Sequence, residues 1–193
     1  TVETGGNFGG DTDWTFNVLT FGDGVGGSTT KVGSGAVTTR STLGVATGHT
    51  LNAGASEWVL WGSPNALAVP GTFNADTSTT TYATTTAMTI TSLNYYNLVL
   101  APAAGGSPTY TFANGPTNAE NIYMGDGTNP VTVTADSNNP LITVAGDVVI
   151  EQNATYEGAG SNDIRIGGSY TNSGTYNHNG GGVLFNSTDA GET

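Results

Sequence analysis

At 193 residues the chain is long enough for one sizeable core, and with no cysteine it has no disulfide framework, thiolate metal site or thiol nucleophile. Lys and Arg number 3 against 15 Asp and Glu, for a formal net charge of -12. Counterion release from phosphate and docking on anionic lipid both lack the basic residues they need, and no apolar run approaches the ~18 residues of a membrane span.

The 30 glycines stand among abundant Thr and Asn, so hydroxyls and amides replace the usual Lys/Glu surface. This is a composition associated with exported proteins, and an extracellular or cell-surface location is expected. In chain order, the first chemistry is "GGDTDW", where Asp11 and Asp13 lie on one side of an extended segment. "WTFNVLTF" (Trp14 to Phe21) follows, with apolar residues on a strand period. "FGDGVGG" sets Asp23 between glycines, as "MGDGTNP" later does Asp126. Calcium takes several hard oxygens on a flexible loop, which makes Asp11, Asp13, Asp23 and Asp126 candidate ligands. The EF-hand spacing and the Gly-Gly-x-Gly-x-Asp nonapeptide are both missing, so an ordinary Asp-Gly turn is the alternative. Residues Gly22 to Leu43 read as an insertion.

"SEWVLWGS" holds Trp58 and Trp61, three apart and therefore on opposite sides of a strand. One is expected in the core. The other, if exposed, is a candidate for stacking on a sugar ring. "DTSTTTYATTTAMTIT" (Asp76 to Thr91) carries Thr-x-Thr pairs, which read as a solvated strand face or as a flat array that orders water or binds ice. "AMTITSL" (Ala87 to Leu93), "YYNLVL" (Tyr95 to Leu100), "PVTVTA" (Pro130 to Ala135), "LITVAGDVVI" (Leu141 to Ile150) and "DIRIGGSY" (Asp163 to Tyr170) are further β segments. Between them lie turn residues, and nowhere does an apolar i, i+3, i+4, i+7 pattern support a helix.

Two blocks recur in order. "LAVPGTFNADTSTTTY" from Leu67 matches "IRIGGSYTNSGTYN" from Ile164, and "VATGHTLNAG" (Val45 to Gly54) faintly matches "IEQNATYEGA" (Ile150 to Ala159). The chain thus reads as a single unit, 1–193, with about two copies of a longer repeat, approximately 14–93 and 94–193. "GGSYTNSGTYNHNGGGVLFNSTDAGET" and "ITSLNYYNLVL" (Ile90 to Leu100) resemble the recurring segment of very large exported bacterial repeat proteins, adhesin-like or matrix-forming. That resemblance implies a right-handed parallel β-helix and no assigned catalytic residues. The polar "DAGET" stretch leans towards continuation of the stack.

A parallel β-solenoid explains the composition: inward positions are aliphatic or aromatic, outward positions Thr, Ser or Asn, and corners Gly or Asn. At ~20 residues per coil the expectation is eight to ten coils on a ~4.8 Å spacing. A β-sandwich is the alternative, and a hairpin at Asn114-Gly115 or Asn179-Gly180 would favour it. Catalysis has little support. His49 and His178 sit in unrelated contexts, Lys31, Arg40 and Arg165 are scattered, and Asp147, Glu151, Glu157 and Asp163 fall in no motif. The expectation is a non-enzymatic structural module, a stalk, adhesin shaft or self-assembling fibre. It has no cofactor beyond a calcium ion at those aspartates, and stacks end to end on its own copies or flanking repeats. A carbohydrate-binding module is the alternative.

Overall fold

The computed structural model describes residues 1–2 and 5–187, and these form strands and turns with no helix. The strands begin with β1 (Gly6–Gly9), β2 (Trp14–Phe21), β3 (Gly27–Val32), β4 (Val37–Val45), β5 (His49–Asn52), β6 (Glu57–Leu60), β7 (Leu67–Ala68) and β8 (Thr72–Asn74). Next come β9 (Thr79–Tyr82), β10 (Met88–Ile90), β11 (Asn97–Leu100), β12 (Thr109–Phe112), β13 (Thr117–Ala119), β14 (Asn121–Met124) and β15 (Val131–Thr134). The last are β16 (Ile142–Val144), β17 (Val148–Ile150), β18 (Ala154–Glu157), β19 (Ile164–Ile166), β20 (Tyr170–Asn172), β21 (Thr175–Asn177) and β22 (Val183–Phe185).

They stack as a parallel β-solenoid of about 8 turns. The spine sheet runs β2-β4-β6-β9-β11-β14-β17-β20, with β7 on the second half of β4. A second sheet runs β10-β12-β15-β18-β21. The third side is split into a lower sheet, β1-β3-β5-β8, and an upper one, β13-β16-β19-β22. Pairing between strands is parallel, one coil on the next, as in β9–β11 and β14–β17. The sandwich alternative is thereby excluded. Neither Asn-Gly pair makes a hairpin: Asn114-Gly115 turns the chain from the second sheet to the upper third sheet, and Asn179 takes a left-handed φ of 49° between β21 and β22.

Inward columns form the core. One runs Val37, Trp58, Thr80, Leu98, Ile122, Val148, and its neighbour runs Thr39, Leu60, Tyr82, Leu100, Met124, Ile150. All are nearly or completely buried. Each burial of a large apolar side chain contributes on the order of 1.5–3 kcal/mol, so every coil brings its own share of the stability.

Two expectations need correction. Gly22 to Leu43 is no insertion: β3 pairs β1 below and β5 above, and β4 pairs β2 and β6. Its glycines serve a packing need, since a Cβ on Gly22 (φ 86°) would lie 2.5 Å from His49 Cβ. The matched blocks also do not occupy equivalent places. Leu67 to Tyr82 covers β7, β8 and β9 on the spine, lower third and spine sheets. Ile164 to Asn177 covers β19, β20 and β21 on the upper third, spine and second sheets. What the blocks share is the alternation of one coil.

Candidate functional site

Asp11 Oδ1 accepts from the Ser34 amide at 2.9 Å and the Ser34 hydroxyl at 3.2 Å, one coil on. Asp13 Oδ1 accepts from the Ala36 amide at 2.8 Å. The same device recurs where Asp147 accepts from the Ser169 amide and Asp163 from the Gly182 amide, both at 2.8 Å. These carboxylates staple successive coils at their corners. Asp23 accepts from the Val25 amide, and Asp126 from the Thr128 and Asn129 amides and the Asn129 side chain, so both close local turns. The four candidate calcium ligands are therefore spread over three places. Among the described residues no cluster of three or more His, Asp or Glu could hold a metal. Hydrogen bonds from Ser34 hold the Asp11 carboxyl below its usual range. For Asp126 burial acts upward, but its bonds to Asn129 and Thr128 outweigh it and the pKa falls.

Trp58 is fully buried, its Nε1 donating to Ala53 O at 3.1 Å and its ring 6.1 Å from Phe21. It cannot meet a sugar. Trp61 is half-buried in the turn after β6 and is the tryptophan of this pair that reaches the surface. The Thr-rich stretch is not one array either. Thr79 and Thr81 face outward on the spine, Thr80 is buried, Thr84 to Thr86 lie in a turn and Thr89 is on the second sheet. Hydroxyls do align on that sheet, but from residues far apart in sequence: Thr109, Thr132, Thr155 and Thr175 share one column.

Side-chain amides stack as expected at corners and edges. Asn74 Nδ2 donates to Asn52 Oδ1 at 2.8 Å, Asn118 Nδ2 to Asn94 Oδ1 at 2.7 Å, and Asn121 Nδ2 to Asn97 Oδ1 at 2.9 Å. Composition alone does not reveal the role of Lys31. It is 3% exposed, and its Nζ donates to Val32 O at 2.8 Å, Ser56 Oγ at 3.0 Å, Gly33 O at 3.2 Å and Gly10 O at 3.3 Å. A lysine is here spent on tying coils together. His49 is also buried, its Nε2 2.9 Å from Thr29 Oγ1, while His178 is exposed and accepts from the Gly180 amide.

Strand stacking is interrupted on the third side. The coil from Thr79 to its partner Asn97 spans 18 residues, where the next spans 24 and the one after 26. The short coil crosses the third side without a full strand and meets the coil above there through the Asn94–Asn118 bridge and a bond from Ser92 Oγ to Pro116 O at 2.6 Å. The lower third sheet stops at β8, the upper begins at β13, and a groove of about 320 Å³ opens between them. No family model, curated protein or solved structure matches the chain.

Proposed function

We propose that the chain is a non-enzymatic structural module of an extracellular or cell-surface protein, a stalk, adhesin shaft or fibre segment that continues by end-to-end stacking. The observation that carries this reading is how the inward columns terminate. The column Ala119, Val144, Ile166 is buried, yet its next member, Phe185 on the last described coil, is 54% exposed. At the opposite end Trp14 stands below Val37 in an inward column and is 39% exposed, though Phe8 covers part of it with ring centroids 5.1 Å apart. One further coil at either end would bury these rings and pair the strand edges, which is the growth rule of a solenoid. Acidic groups spent as inter-coil staples and a lysine buried as another fit a part selected for cohesion.

Sedimentation velocity and negative-stain microscopy over a concentration series test stacking between copies. Because each copy carries -12, association is expected to strengthen with salt, as screening removes the repulsion. Rods or oligomers that vanish in Phe185→Lys support the reading. A monomer at every concentration and salt refutes assembly from separate copies.

A further inference from the structure

We propose that the groove between β8 and β13 is a binding site for a neutral carbohydrate. Its floor is apolar, formed by Val69, Leu93 and the almost buried Phe73, and its rim is Thr72, Asn94 and Asn118. No charged side chain lines it. A sugar ring presents this same division, with C–H faces that stack on apolar surface and hydroxyls around the edge that need donors and acceptors.

The rim supplies both kinds. Asn118 Nδ2 donates to Asn94 Oδ1, which leaves the Asn94 amide hydrogens and Asn118 Oδ1 as a neighbouring donor and acceptor. Adjacent hydroxyls of a pyranose can donate to one and accept from the other. Backbone groups add to them. The Asn74 carbonyl accepts from the Ala53 amide of the coil below, so alternation along the strand turns the amide and carbonyl of Phe73 upward. No described strand pairs with that edge of β8. From above, Asn118 donates to Leu93 O and accepts from the Tyr95 amide, so Asn94 directs its own amide and carbonyl downward. The groove thus receives main-chain donors and acceptors from both lips, at the point where one coil is too short to join them. A volume of about 320 Å³ lies at the low end of ligand sites and suits one or two sugar units rather than a long chain. An acidic sugar would find no cation there, and the net charge of -12 would repel it.

This site is independent of end-to-end stacking, and its test reads out differently. Native gels containing soluble neutral glucan, mannan, galactan or xylan, with polygalacturonate as the anionic control, measure retardation of a chain whose charge drives it to the anode. At least one neutral gel should retard the wild-type chain, and polygalacturonate should not. Asn94→Asp, which adds a charge at the rim, and Thr72→Met, which fills the groove with an aliphatic chain that offers a sugar no stacking face, should each weaken retardation about tenfold. Both positions are exposed, so an unchanged melting midpoint shows that the fold is kept. Trp61→Ala should bind as wild type. The proposal fails if no neutral gel retards the chain, if the groove variants are retarded equally, or if the anionic gel retards as strongly.

Discussion

Inside the short coil, Tyr82 and Tyr95 are buried with their hydroxyls 2.9 Å apart. Tyr95 donates to Thr91 O at 2.7 Å, so the hydrogen between the two phenols must come from Tyr82. The Thr91 amide in turn donates to the Tyr82 oxygen at 3.1 Å. The three groups form a closed ring in which each donates once and accepts once. Burial raises both phenol pKa values, Tyr95 well above its usual one, so the ring keeps its protons. Tyr95→Phe orphans the Tyr82 hydroxyl and the Thr91 carbonyl, and Tyr82→Phe orphans the Thr91 amide. At about 1–3 kcal/mol per buried orphan, Tyr95→Phe should cost roughly 2–6 kcal/mol and Tyr82→Phe, with one orphan, roughly 1–3 kcal/mol. The double variant no longer holds the orphaned Tyr82 hydroxyl, so it should be less destabilised than the sum by at least about 1 kcal/mol. Urea unfolding gives the cycle, and hydrogen exchange at the Thr91 amide reports the same site locally even if the stack unfolds in stages. Additivity within about 0.5 kcal/mol, with Thr91 exchange unchanged, would refute the ring.

Asn121 joins two coils, donating to Asn97 and accepting from the Asp147 amide at 2.9 Å, so Asn121→Ala should cost about 1–2 kcal/mol in urea unfolding. Acid should weaken the fold through Asp11 and Asp126. Both carboxyls sit below the usual 3.8, so their contribution is complete above that value and drains away as pH falls through the folded values. Melting midpoints taken from neutral pH downward should therefore drop on that limb, and Asp11→Asn should flatten it. Millimolar calcium should leave the midpoint unchanged, because the carboxylates of Asp11, Asp13, Asp23 and Asp126 already bond to amides. A clear rise with calcium would overturn that account.

The legible part of the fold was the part with enough residues to show a period. "WTFNVLTF" coincides with β2, the longest strand but one, whereas "LITVAGDVVI" and "DIRIGGSY" each divide into two strands at a glycine corner. Strands such as β13 or β21 have three residues and at most two inward side chains, too few to display alternation. The spacing of Trp58 and Trp61 places them in different environments, but which one is buried depends on the register of β6 against β4, where Trp58 falls above Val37. The groove was not legible. Its walls come from Val69 to Phe73, Ser92 to Asn94 and Pro116 to Asn118, and only their coil register places them together. Lys31 was hidden for the same reason, since Gly10 and Ser56 reach it from other coils.

Coil length links these observations. The spine keeps its register through intervals of 18, 24 and 26 residues, so differences in length must be absorbed on the other sides. An extra residue or two makes a larger corner at little cost, because the closure entropy of a surface loop grows slowly with length. A shortage cannot be absorbed that way, since an extended chain spans at most about 3.3–3.6 Å per residue. The coil between Thr79 and Asn97 therefore gives up its third-side strand and keeps the spine and second-sheet strands that bury Tyr82, Met88 and Ile90. The tyrosine ring closes the corner of that coil, where side chains replace backbone pairing. The same shortage that calls for the ring opens the groove beside it. Lengthening the segment between Ile90 and Asn97 enough to complete a strand should both relieve the Tyr95→Phe cost and abolish carbohydrate retardation; if either persists, the two features do not share this cause.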